Sequence, residues 1–154
     1  MLGMSEDDLG IVDALAQLTF LVQGTLARRA AEYELSIIQM RLLGVLRDRT
    51  PAMNDLAKIL ELDKSSLTGL VDRAERRGLV KRTASTEDRR VVRVSLARAG
   101  RTLVARVSRE FQNDLATLLG DISEAERSLL SGLASRVVVN YARSHGVDDL
   151  RTQS

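Results

Sequence analysis

Residues 51–100 read PAMNDLAKILELDKSSLTGLVDRAERRGLVKRTASTEDRRVVRVSLARAG, and the order of elements in this stretch decides the fold. Proline suits the first turn of a helix, where its missing amide proton costs nothing, so a short helix is predicted at or just after Pro51 and running to Leu60. Leu56, Ile59 and Leu60 carry its apolar face. Glu61-Leu62-Asp63 then makes a tight connection. The Asp63 carboxylate can accept the free first-turn amides of a second helix over 64–77, with Leu67, Leu70, Val71 and Ala74 facing inward. Cations at Arg76 and Arg77 favour the negative helix end, and Gly78 permits the left-handed residue that stops it. The period then changes from helical to alternating. Leu79–Thr83 and Val91–Leu96 read as two strands around the polar loop 84–90, with Val92, Val94 and Leu96 on one face.

Charge is concentrated in the same region. Residues 64–106 hold twelve Lys/Arg against four Asp/Glu, so this segment carries +8 in a chain of net charge +2, leaving −6 on the remainder. A basic segment between acidic arms points to a polyanion, and duplex DNA fits it best. Composition narrows the alternatives. The 154 residues contain no Cys and one His, His145, which removes disulfides, thiol chemistry and cysteine-ligated metals and leaves almost nothing for histidine-based zinc or triad chemistry. With aromatics at 3%, the stacking platforms of single-strand binders are missing. No P-loop, G-x-S-x-G or ligand cluster is present, so no enzyme activity, cofactor or metal is expected. No apolar run reaches membrane-span length, and the opening MLGMSEDDLG is acidic where a secretion signal is basic. The expectation is a cytoplasmic protein without a membrane partner.

Outward from the centre, helices return. Ile11, Leu15, Leu18, Val22 and Leu26 draw one stripe along a helix over 7–32, about 39 Å at 1.5 Å per residue. Ser36 and Gln39 form a capping box before Ile38, Leu42, Val45 and Leu46. Val104, Val107, Phe111, Leu115 and Leu118 form a stripe ending near Gly120. Ser123 and Glu126 form a second capping box before Leu130, Leu133, Val137 and Tyr141, with Gly146 as terminator. The predicted fold is mainly α: a winged helix-turn-helix with a two-stranded β-hairpin wing and long terminal helices. The expected division is an N-terminal dimerisation arm (1–35), a DNA-binding lobe (36–100), C-terminal dimerisation helices (101–146) and a flexible tail (147–154). The terminal stripes exceed what one lobe can cover, so a homodimer matched to a two-fold operator is expected.

In a helix pair of this kind the second helix lies in the major groove with its N-terminal residues toward base edges. Here those residues are Lys64, Ser65, Ser66, Thr68 and Gly69, with Arg73 placed to reach a phosphate. The hydroxyls equally suit local capping. Gly69 permits either close approach to DNA or close packing.

Three pieces of the stretch, L-D-x-S-S-L-T, V-D-R-x-E-R-R-G-L-V and D-R-R-x-x-x-V-x-L-x-x-x-G, resemble in order and spacing the MarR (multiple antibiotic resistance regulator) family. The flanking helices match that family's dimerisation arms. The resemblance implies a homodimeric transcription factor on a near-palindromic operator, often a repressor, and often released by a small aromatic or lipophilic effector. By position Asp88 and Arg90 match the family's D-x-R wing motif. Arg90 is then the wing-tip arginine of the minor groove, Asp88 braces an arginine, and Arg89 lies near phosphate. The resemblance puts the effector between arms and lobe, with Phe20, Tyr33, Met40, Leu43 and Phe111 as candidate lining residues that also read as core. Two departures stand out. Ala97 stands where the family has a capping Thr, so the next helix is less well held unless Ser95 substitutes. Glu61 stands where the tight turn usually has Gly. A non-specific architectural, nucleoid-type DNA binder shares the size, charge and pairing, and only competition with random DNA separates it.

Overall fold

The computed structural model describes residues 7–147, so the expected tail 147–154 falls outside it except for Val147. Six helices and two strands follow in the order α1 (Ile11–Glu32), α2 (Ile37–Leu46), α3 (Met53–Leu60), α4 (Lys64–Arg76), β1 (Val80–Ala84), β2 (Val92–Leu96), α5 (Arg98–Leu118) and α6 (Glu124–Ser144). This is the predicted winged helix-turn-helix with long terminal helices.

Local chemistry sets most boundaries. Both capping boxes form: Ser36 with Gln39, and Ser123 with Glu126. Gly78 adopts φ +70° after α4, where the Leu79 amide reaches back to the Ala74 carbonyl at 3.0 Å. Glu61 closes α3 in the same left-handed way at φ 55°, and the Leu62 amide bonds the Ala57 carbonyl at 2.9 Å. A side chain at that φ costs about 1–2 kcal/mol relative to glycine's freedom.

Several boundaries differ from the sequence reading. α1 begins at Ile11 rather than Asp7, because Gly10 sits at φ 75° and breaks the helical path; at 22 residues α1 spans about 33 Å. α3 begins two residues after Pro51, because Ala52 pairs with Arg93 in an isolated antiparallel bridge and the Pro51 carbonyl accepts the Val94 amide at 3.0 Å. α4 ends at Arg76, and Arg77 becomes its cap. The first strand lies one residue later than expected, from Val80 to Ala84, and the second starts at Val92, one residue after Val91. The register pairs Val80 with Leu96 and Arg82 with Val94. Val94 and Leu96 are buried as predicted, but Val92, nearest the wing tip, is exposed.

Ser95 does not cap α5. Its N-cap Ala97 has no side-chain hydrogen bond; instead the Ala97 amide bonds the Leu79 carbonyl at 2.9 Å, and the Arg101 guanidinium donates to the Leu96 carbonyl at 2.7 Å. Gly100 packs directly on the Leu79 carbonyl, and any β-carbon there collides with it. The start of α5 is therefore held by backbone contact with the end of α4's turn.

The core lies in the lobe. Leu42, Leu43, Leu56, Leu60, Leu67, Leu70, Val71 and Val94 are fully buried, joined by Val104 and Val107 of α5. α1 is tied to α5 by Arg29, whose Nε and Nη2 donate to the two Asp114 oxygens at 2.6 and 2.7 Å, and by the Tyr33 hydroxyl on Glu110 at 2.9 Å. The terminal stripes stay uncovered: Ile11 is 72% exposed and Val137 69%, with Leu15, Leu118, Leu133 and Tyr141 exposed as well. No helix among the described residues is long and apolar enough to cross a membrane.

Candidate nucleic-acid interface

α4 buries Leu67, Leu70, Val71 and Ala74 against the lobe. Its other face is polar and open: Lys64, Ser65, Ser66, Thr68 and Arg73 are exposed and Gly69 half-buried. Asp63 organises the helix start. One carboxylate oxygen accepts the Ser66 amide at 2.8 Å and the other accepts the Ser66 hydroxyl at 2.7 Å. These bonds hold the Asp63 carboxyl below the usual carboxylate range, so it stays ionised at the positive helix end. The Thr68 hydroxyl donates to the Lys64 carbonyl at 2.8 Å. Both hydroxyl protons are thus spent locally, while the oxygens of these exposed residues keep lone pairs that can accept. Ser65 and Lys64 carry no side-chain hydrogen bond among the described residues.

Gly69 has a specific use. A β-carbon there would come 3.3 Å from Arg73 Nη1. The guanidinium therefore folds back over Gly69, one turn toward the N-terminal half of α4.

The wing is a stiff loop. Asp88 accepts the Arg90 amide at 3.0 Å, Arg90 Nε at 3.2 Å and Arg90 Nη2 at 3.4 Å. The Ser85 amide bonds the Val91 carbonyl at 2.8 Å and the Val91 amide the Asp88 carbonyl at 2.9 Å. The Arg90 amide first, and its guanidinium second, keep the Asp88 carboxyl low and charged. Asp88 thus folds the loop around the arginine two residues on. The Arg90 side chain is still 91% exposed, and Arg89 beside it is exposed.

The residue the sequence reading passed over is Arg82. From β1 its Nη2 reaches Asp72 and its Nη1 reaches Glu75, both at 2.6 Å, locking wing to α4. Asp72 and Glu75, two acids one turn apart on an otherwise cationic helix face, were the available signal. Three other cations of the basic segment bond backbone. Arg77 holds the Tyr33 and Glu34 carbonyls at the end of α1, each at 2.9 Å, Arg93 holds the Thr50 carbonyl at 3.1 Å, and Arg101 holds Leu96. Lys64, Arg73, Arg76, Arg89 and Arg90 remain on the α4 and wing surface without an ion pair to another element among the described residues.

The effector candidates are scattered. Met40 and Leu43 are in the core, Phe20 is 67% exposed on α1, and Phe111 is half-buried on α5. Tyr33 alone of the five lines a cavity of about 550 Å³, together with Arg98, Ala99, Thr102, Leu103 and Arg106.

Residues 33–91 match the family model described as MarR family. The HTH-type transcriptional regulator PecS of Dickeya dadantii (strain 3937) is 28% identical over 131 residues, which is 82% of this chain and 79% of PecS. The structure of RV1404 from Mycobacterium tuberculosis is similar over 97% of this chain and 100% of its own, at TM-score 0.71 and 25% identity. That of NadR in complex with 4-hydroxyphenylacetate is similar over 88% of this chain and 97% of its own, at TM-score 0.71 and 22% identity. The helix pair and the wing loop lie within the segment that matches the MarR family, and the fold across nearly the whole chain is shared with these solved structures.

Proposed function

We propose that the protein is a ligand-responsive repressor that binds a palindromic operator as a homodimer. The observation that carries this reading is the single cationic surface made by α4 and the wing, held in one geometry by Arg82. In this reading Ser65, Ser66, Thr68 and Gly69 meet base edges in the major groove, while Lys64 and Arg73 meet phosphates. Arg90 enters the minor groove, Arg89 lies on its rim, and Asp88 acts through Arg90. The uncovered apolar faces of α1 and α6 support a second copy as their partner, because exposed apolar surface of this extent marks an interaction site. Two-fold pairing sets two α4 helices against two half-sites.

The effector site is the cavity beside Tyr33, between the end of α1 and the start of α5. Its walls are largely apolar, with the Tyr33 hydroxyl and two arginines as polar points, which suits a small aromatic ligand with one acidic group. The NadR complex with 4-hydroxyphenylacetate supports a ligand of that size. Ligand there sits where α1 and α5 meet and biases how the arms hold the lobes.

Footprinting on the DNA around the protein's own gene tests the reading. Protection of an inverted repeat, resistant to excess random DNA and relieved by an effector, is the expected result. Uniform coverage without a preferred site favours an architectural DNA binder instead.

A further inference from the structure

A second cavity, of about 410 Å³, opens between the end of α2, the α2–α3 linker, the hairpin and the first turn of α5. Arg47, Arg49, Lys81 and Arg101 line it, with Ser95 and a single acid, Asp48. The strand register explains the convergence. Lys81 pairs with Ser95, one residue out of phase with Arg82 and Val94, so both project from the opposite face of the hairpin. Arg101 is anchored there by its bond to the Leu96 carbonyl and keeps further N–H groups free. Asp48 is engaged by Arg47 at 2.8 Å. Arg49 and Lys81 have no ion-pair partner among the described residues.

Four cations against one acid repel one another; Arg101 and Arg47 have fold partners in the Leu96 carbonyl and Asp48, but the approach of Arg49 and Lys81 is offset by no ion pair among the described residues. The operator surface does not account for them, because no residue of α4 or of the wing loop lines this cavity. The cavity contains no aromatic ring, and its only apolar lining residues are the buried Leu46 and Leu96. It therefore offers no aromatic platform for a nucleobase or an aromatic effector. Guanidinium forks, an ammonium and a hydroxyl instead match the oxygens of adjacent phosphoryl groups.

We propose that this pocket binds a compact, multiply charged phosphate compound: a diphosphate or a small phosphorylated metabolite. The site is separate from the cavity beside Tyr33, and the titration that decides it uses no DNA, so its failure is distinguishable from failure of the operator reading.

The probe is inorganic pyrophosphate, titrated calorimetrically into the full chain at low salt. Saturable binding at one site per chain is expected, weakened at least tenfold in Arg49→Gln and in Lys81→Gln, and unchanged in Arg73→Gln on α4. Lys81 is an exposed strand residue, so Lys81→Gln keeps the test valid should Arg49→Gln fold poorly. Absence of saturable binding overturns the proposal. So does equal weakening in Arg73→Gln, which assigns the anion to the operator surface. A drop in the salt slope of operator binding in Lys81→Gln, without pyrophosphate binding, assigns the pocket to the DNA backbone and also overturns it.

Discussion

Arg82 grips Glu75 twice: its backbone N–H donates to one carboxylate oxygen at 3.2 Å and its Nη1 to the other at 2.6 Å. With Asp72 on its remaining arm, Arg82 makes α4 and the wing one rigid reading head. Arg82→Ala removes this link, and with it a long bond from Nη2 to the Thr68 carbonyl at 3.5 Å, while every side chain placed on DNA is kept. A partly screened charge-assisted pair of this kind contributes about 1–2 kcal/mol, so denaturant unfolding should show a loss of that size. Operator affinity should fall as well, because the wing is no longer aimed. Unchanged stability together with unchanged affinity would show the link to be incidental.

Two glycines separate packing from function. Gly100→Ala drives a β-carbon into the Leu79 carbonyl, a backbone atom with nowhere to go, and should cost about 3 kcal/mol in thermal or denaturant unfolding. Gly69→Ala meets only the flexible end of Arg73 and gains helix propensity, so stability should rise by up to about 1 kcal/mol. The same substitution shifts the Arg73 guanidinium from its place over residue 69, so operator affinity should drop while stability improves. Improved stability with wild-type affinity contradicts the role given to Gly69.

Those two glycines also show which features the sequence carried. Signals confined to a few neighbouring residues were legible: the capping boxes at Ser36 and Ser123, the Asp63 cap, the left-handed stop at Gly78 and the alternation of Val94 and Leu96. Features that need distant chain segments were not. Gly100 owes its identity to Leu79, and Arg82 to two acids on another element. The two alternatives read at Ala97, a less well held start of α5 or Ser95 as substitute cap, both left out the backbone contact between Ala97 and Leu79 that takes the place of the cap. Tyr33, Met40 and Leu43 share an apolar periodicity that does not distinguish a core position from a cavity wall. Only packing puts Tyr33 at a cavity and the other two in the core.

Acid should loosen α1 from α5. The Arg29 guanidinium holds the Asp114 carboxyl below its ordinary range, while in the unfolded chain it titrates near about 3.9. The folded value is the lower one, so the stabilisation is fully present above about pH 4 and is lost as pH falls through the depressed folded value. Unfolding measured from pH 7 down to pH 3 should show a plateau and then a decline, and the decline should be shallower in Asp114→Asn. An identical acid profile in the variant removes Asp114 from the explanation.

The arms should pair. Sedimentation at micromolar concentration should give about twice the 17.0 kDa chain mass, and Leu133→Asp with Val137→Asp should shift the species toward a folded monomer. A wild-type folded monomer at that concentration contradicts the homodimer.

The central claim, that α4 and the wing read DNA, is tested most directly by operator affinity of Arg90→Ala, measured by fluorescence anisotropy at several salt concentrations. Arg90 is anchored by Asp88 yet almost wholly exposed, so its loss should leave fold and assembly intact. Affinity should fall by about 1–3 kcal/mol, and the log–log salt slope should flatten by up to about one unit as a phosphate-neutralising charge disappears. Arg90→Lys, which keeps the charge but loses the planar fork, should retain a clear defect. Wild-type affinity and salt slope in Arg90→Ala would contradict the account and leave this arginine a solvated loop residue.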